Sequence, residues 1–311
     1  MKVLVLGANG FIGSKLVDRL VEGGYEVRIL TRIQGKVPNA NVKSFVGDLR
    51  DPDLDFDSLL NGCEVVFNCA GEIRNEALMQ ELHVASTQRF LKAIAEKSTA
   101  QKNIHWVQLS SVGAYGSIPN VERIVTEDTE VNPKGQYEVT KTLADQCIVS
   151  MSKSSPFTFS ILRPSNVFGP GMPNNSIRQL ASVVRRRLFF YVGFKESIAT
   201  YIHVDDVVSA LMLCGFDSRA KGEVFNVSND CLLKDVMEGI AESLAVPAPK
   251  IRLPESLVRL AVSVVSLLTK GLVTQERVNA LTARTRYPVT KIETVLGFVP
   301  SKYVPKYIGG V

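Results

Sequence analysis

Short, almost wholly apolar runs rich in Val, Ile and Phe recur through the first half of the chain, each followed by residues at helical spacing. This alternation restricts the fold more than any other feature. An apolar run without polar alternation is a strand covered on both faces, and parallel strands joined by crossover helices supply that cover. The runs predict strands over 2–6, 26–31, 42–46, 65–68, 105–110 and 158–163, with helices over 13–22, 77–96 and 137–151. The expected class is α/β, a doubly wound parallel sheet. After Arg163-Pro164 a turn-rich stretch over 169–175 breaks the rhythm, and 223–227 reads as a late strand returning to the sheet.

A chain of 311 residues, 45% hydrophobic and 22% charged, can bury a large core. The formal charge of +5 is too mild for a nucleic-acid-binding face, and none is expected. The five cysteines form no CxxC pair and have no histidine at ligand spacing, so neither a metal site nor a disulfide framework is expected. A reducing cytoplasm fits that usage. The apolar stretch 256–272 is interrupted by Arg259 and bounded by Lys270 and Gly271, so no stable membrane span is expected. It reads as an amphipathic helix covering a pocket, with a membrane-surface contact as the other reading.

The first strand runs into Gly7-Ala8-Asn9-Gly10-Phe11-Ile12-Gly13, and Leu16, Val17 and Leu20 then share one side of a helix. A dinucleotide pyrophosphate needs this context, because glycines let the backbone approach closely while free N–H groups at the helix start meet the charge. Gly13 would let helix and strand pack. At the end of the second strand Thr31-Arg32 stands where a carboxylate would hold an adenosine ribose. Arg32 instead suits a 2′-phosphate, so NADP is expected over NAD. The Rossmann dinucleotide-binding domain is then 1–166 plus 201–228, with a smaller, discontinuous substrate-binding part over 167–200 and 229–311.

Tyr137 and Lys141 sit four apart on a predicted helix, which puts phenol and ammonium on one face. A cation there is expected to pull the phenol's pKa down toward the working range. Ser111 follows the fifth strand, where a hydroxyl can hold the reacting oxygen; Ser110 reads as a turn cap. His203-Val204-Asp205-Asp206 reads as structural, with an aspartate capping the next helix. The Arg185-Arg186-Arg187 run suits either a diphosphate or solvent.

With these motifs in order, together with Gly47-Asp48-Leu49, Asn68-Cys69-Ala70-Gly71, Tyr115-Gly116, Leu162-Arg163-Pro164-x-Asn166 and Tyr201-Ile202-His203-Val204-Asp205-Asp206, nearly the whole chain resembles the extended short-chain dehydrogenases/reductases. Within them it is most similar to the NAD-dependent epimerase/dehydratase group. The resemblance implies catalytic Ser111, Tyr137 and Lys141. It implies that Gly7, Asn9, Gly10, Phe11, Ile12, Gly13, Arg32, Asp48, Leu49, Asn68, Ala70, Gly71 and Pro164 join Tyr137 and Lys141 around the cofactor. Tyr115 and Asn166 would border the substrate, and a homodimer is implied. Val112-Gly113 replaces the dehydratases' Asp-Glu pair, which argues against water elimination, and Ala199 replaces an arginine common in nucleotide-sugar members. His83 stands where the family usually has asparagine. The expected activity is hydride transfer at a carbinol or keto carbon of a nucleotide sugar. The alternatives are a hydroxysteroid- or dihydroflavonol-type dehydrogenase acting on an apolar ketone, and a non-catalytic dinucleotide sensor or assembly factor.

Overall fold

A computed structural model describes residues 1–33, 42–98, 103–119, 121–268 and 274–310. Seven strands form one parallel sheet: β1 (Lys2–Leu6), β2 (Glu26–Thr31), β3 (Val42–Val46), β4 (Val65–Asn68), β5 (His105–Leu109), β6 (Thr158–Pro164) and β7 (Glu223–Val227). Their order is β3-β2-β1-β4-β5-β6-β7. The order reverses between β1 and β4, where Val3↔Val65 to Leu6↔Asn68 are in register. In a doubly wound sheet a crevice opens beyond the carboxyl ends of the strands at such a reversal.

Strand alternation divides the core into two. Val3 and Val5 point to one face, where they meet Leu16, Val17 and Leu20 of α1 (Phe11–Glu22). Leu4 and Leu6 point to the other, against Phe90, Leu91 and Ile94. Those three belong to α2, a helix running from Glu76–Met79 through a π-helical stretch, Gln80–Ala85, into Ser86–Lys97. Next to it lies α3 (Gln136–Ser152), which contributes Ile148. Val207, Leu211 and Cys214 of α4 (Val204–Phe216) complete the first face. Both faces are therefore dry, and the strands need no polar alternation.

A third apolar cluster gathers Phe168, Ile177, Val184, Val236 and Ile240 into a lobe beside the sheet. The chain then returns to the main core, where Ile292, Leu296 and Phe298 join the first face. Of the predicted apolar helix, Glu255–Leu268 is helical; 269–272 lie outside the described residues. Among the described residues no helix is long and apolar enough to cross a membrane, and no cluster of metal-ligating side chains occurs. All five cysteines are free.

The N-terminus of α4 differs from its expectation. His203 is the capping residue, its Nδ1 accepting from the Asp205 amide at 3.2 Å. Asp206 instead accepts from Ser301 N–H and O–H and from Lys302 N–H, which ties the C-terminal segment to the helix start.

Candidate active site

Two clefts meet at the reversal. The larger, about 1000 Å³, is lined by Asn9, Gly10, Phe11 and Ile12 on one side and by Ser111, Tyr137, Lys141, Pro164 and Asn166 on the other. The smaller, about 310 Å³, takes in Gly7, Arg32, Asp48, Leu49 and Arg50. They share Asn9, Gly10, Cys69, Ala70 and Gly71, so they form one continuous trough across the end of the sheet.

The glycine turn is shaped by close backbone approach. Gly7 has φ +74°, and a Cβ there would stand 2.6 Å from the Ala70 nitrogen. A Cβ on Gly13 would fall 2.2 Å from the Gly7 carbonyl oxygen. Gly13 therefore lines neither cleft; it lets α1 pack under the turn. No side chain caps α1 at Gly10, and its first turn carries no acid. The free N–H groups at that end are a fit for a pyrophosphate. Asn9 is held by its Nδ2 donating to Thr31 Oγ1 at 2.9 Å.

At the smaller cleft's far end two guanidinium groups accompany one carboxylate. Arg50 grips Asp48 through Nε and Nη2 at 3.0 and 2.7 Å, and this bond, with a smaller pull from Arg32, holds the Asp48 carboxyl at about 2. Arg50 was not singled out by the sequence, where it follows Gly47-Asp48-Leu49 without a motif of its own.

Besides Gly13, two expected binding residues lie elsewhere. Asn68 is buried beneath the trough; its Oδ1 accepts from the Ala70 amide at 3.2 Å while its Nδ2 donates to Gln108 at 3.0 Å, so it braces the loop that does the lining. Tyr115 does not border the cleft. It is wholly buried, donating to Asn226 Oδ1 at 2.9 Å and accepting from Arg163 Nη1 at 3.0 Å. Its polar end is consumed by partners on β7 and β6. Asn166, by contrast, is exposed on the rim and donates to the Thr200 carbonyl at 3.0 Å.

The start of α3 is fixed by Glu138, whose carboxylate accepts from the Lys134 and Gly135 amides at 3.0 and 3.3 Å. From there Tyr137, Lys141 and Asp145 follow at intervals of four along one face. Lys141 is buried and donates to the Leu109 carbonyl at 2.5 Å. Burial lowers its ammonium to about 8 against the opposing field of Asp145. The Tyr137 phenol is pushed up to about 12 by burial first, then by Asp145 and Glu138. The expected lowering is not what the structure gives: burial of the phenol dominates, and the Asp145 and Glu138 carboxylates push the same way. The phenol therefore holds its proton across the neutral range, the form that donates to a carbonyl oxygen.

Ser111, not Ser110, caps a short turn: its Oγ accepts from Gly113 N–H at 3.0 Å, which leaves its own proton to offer to the cleft. Ser110 donates to Asp145 Oδ2 at 2.8 Å. Arg163 reaches the same oxygen through Nε and Nη2, both at 3.0 Å. Asp145 was visible in the sequence only as the next step of the four-residue spacing.

His83 sits in the π-helical stretch and bridges two walls of the trough. Its Nε2 accepts from the Glu72 amide at 2.9 Å, and its Nδ1 meets Thr140 Oγ1 at 2.8 Å. Nδ1 thus carries the proton, and Thr140 passes its own to the Gln136 carbonyl at 2.8 Å. Burial, with Lys141 nearby, holds the ring neutral down to about 3. The imidazole also stands edge-on to the Tyr137 ring, centroids 5.6 Å apart at 86°.

A family model described as "NAD dependent epimerase/dehydratase family" matches residues 3–228. The chain belongs to that family. Among relatives, it is 27% identical over 265 residues to a mouse (Mus musculus) protein named sterol-4-alpha-carboxylate 3-dehydrogenase, decarboxylating, spanning 81% of this chain and 71% of that one. It is 28% identical over 239 residues to a putative UDP-glucose 4-epimerase of Methanocaldococcus jannaschii, spanning 72% and 76%. A solved UDP-glucuronic acid 4-epimerase from Bacillus cereus, in complex with NAD, shares the fold with a TM-score of 0.74 over 99% of this chain and 96% of that one, at 20% identity. These matches bring the α/β fold and the dinucleotide family together in one chain.

Proposed function

We propose that this protein transfers a hydride between a nicotinamide dinucleotide and a carbinol or keto carbon of a nucleotide sugar, as a ketone reductase or an epimerase. The observation that carries this reading is the shared trough: the glycine turn and the Ser111, Tyr137 and Lys141 side chains border one space of about 1000 Å³. When bound, the nicotinamide supplies or accepts the hydride. Tyr137 gives its proton to the substrate oxygen as the carbonyl is reduced and takes one back in the reverse sense, while Ser111 donates a hydrogen bond to the same oxygen. A positioned general acid of this kind contributes roughly 10²–10⁴-fold. Lys141 would supply positive charge near the phenol and, with the dinucleotide bound, would help to hold its ribose. We propose Asn166 as a substrate contact and NADP as the preferred dinucleotide, supported by Arg32 beside an Asp48 already engaged by Arg50. The protein would work in the cytoplasm as a homodimer.

Support for a polyhydroxylated substrate comes from the polar groups that line the larger cleft, Lys15, Asp18, Asn166 and Asn174. The Methanocaldococcus and Bacillus proteins, named for UDP-sugar epimerisation, point the same way. An apolar alcohol or ketone is the second reading, favoured by the mouse sterol dehydrogenase. The test is NADPH oxidation by keto sugar nucleotides and hydrophobic ketones, and epimer formation from sugar nucleotides without net oxidation, with Tyr137→Phe in parallel. Turnover with sugar nucleotides that falls at least ~10²-fold in the variant, at unchanged dinucleotide affinity, supports the proposal. Turnover only with hydrophobic ketones moves the assignment to the second reading. Full activity in Tyr137→Phe removes the phenol from the chemistry.

A further inference from the structure

Two features of the chain take no part in the trough: the Arg185-Arg186-Arg187 run and the apolar helix Glu255–Leu268. The fold brings them to one edge of the lobe. Tyr191 pairs with Arg252 and Val192 with Leu253 in a short parallel ladder, which sets 188–194 beside 251–260. The helix packs Val258 and Val262 inward with Val192 and Val278. Its outer side is apolar as well: Leu257 and Leu260, one turn apart, are 61% and 64% exposed. Around the same ladder Leu188, Phe194 and Ile251 are 64%, 71% and 60% exposed. Large side chains gathered in this way mark an interaction surface, where isolated ones would not.

The charge of the edge says what covers it. Residues 185–196 and 250–260 hold seven basic and two acidic side chains, an excess equal to the +5 of the entire chain. The two acids are already engaged, Glu196 by Arg252 at 2.6 Å and Glu255 by Arg259 at 2.8 Å. A second copy meeting this edge with its own would set like charge against like, whereas a negatively charged surface with an apolar interior satisfies both features. We infer that this edge docks on an anionic lipid bilayer, with Phe194, Leu188, Leu257 and Leu260 entering the boundary between headgroups and acyl chains and the arginine run over lipid phosphates. The helix Ser176–Arg185 connects cleft-lining Asn174 to that run, so docking ties the rim of the trough to the membrane through one helix.

The test is sedimentation with vesicles of phosphatidylcholine alone or mixed with phosphatidylglycerol. The full chain is expected to bind only the anionic vesicles. Each basic residue near such a surface is worth roughly fivefold, so Arg185→Gln, Arg186→Gln and Arg187→Gln together are expected to weaken binding on the order of 10²-fold. Leu257→Ser with Leu260→Ser is expected to abolish the binding that survives high salt. Phe194→Trp reports insertion directly, because Trp106 is fully buried and gives a constant background; its emission should shift to the blue on anionic vesicles. None of these positions lines the trough, so unchanged dinucleotide binding certifies folding in each variant. No binding to anionic vesicles overturns the inference, as does binding that ignores the leucine pair and leaves the Phe194→Trp emission unmoved. A dimer that Leu257→Ser and Leu260→Ser convert to a monomer, without vesicle binding, assigns the edge to a second copy instead.

Discussion

Replacing Lys141 by Met should separate stability from activity in a way that depends on pH. Burial takes the ammonium from its ordinary value near 10.5 to about 8. At ~1.4 kcal/mol per pH unit this is a cost of roughly 3 kcal/mol to the folded state. The sign follows from proton binding: below about pH 8 both states are protonated and the cost is complete. Between 8 and 10.5 the unfolded chain binds more protons, so stability rises with pH, and above 10.5 the cost is gone. Met fills a similar volume without charge but leaves the Leu109 carbonyl without this donor, at roughly 1–3 kcal/mol. Lys141→Met should therefore be as stable as the parent at pH 7, or up to ~2 kcal/mol more so, while losing dinucleotide-dependent turnover. The stability difference between variant and parent should fall by about 3 kcal/mol on going to pH 10.5. Urea denaturation of both proteins at the two pH values measures it. A difference that stays flat to within ~1 kcal/mol would show that the ammonium is not held at a cost, and the reasoning would fail.

Gly13→Ala drives a methyl to 2.2 Å from the Gly7 oxygen, so helix or turn must shift; a loss of ~1–3 kcal/mol and at least a tenfold fall in dinucleotide affinity are expected. Calorimetric titration giving parental affinity would deny Gly13 its shaping role. Asp145→Asn leaves Arg163 buried beside a neutral group, and breaking such a pair costs about 3–5 kcal/mol. Scanning calorimetry should show a melting temperature lower by on the order of 10 °C, and a drop under ~2 °C would refute it.

The sheet was legible because most of its strands are short apolar runs that both faces of the fold need, the edge strand Val42–Val46 apart, and punctuation by glycine or polar residues sets their ends. Hence β1 to β4 and β7 match their predicted limits, and the glycine turn announces itself by position. The family resemblance put Tyr115 at the substrate, whereas the partners that bury it, Arg163 and Asn226, lie 48 and 111 residues further along, beyond the reach of local pattern. The acidity of Tyr137 was misread for a related reason. The spacing displays the Lys141 neighbour, but only the folded helix reveals how deeply the face is buried and that Asp145 answers the charge. Nor does local pattern foretell that 191–192 and 252–253 align.

The His83 bridge has a mechanical consequence. One rigid ring joins the amide of Glu72 to Thr140, and Thr140 is bonded back to the first turn of α3. A loop displaced outward by an arriving ligand cannot yield alone; it must drag the phenol-bearing turn with it or snap a tautomer-specific link. If the trough admits a dinucleotide as proposed, its entry and the setting of the Tyr137 phenol are thereby geared together.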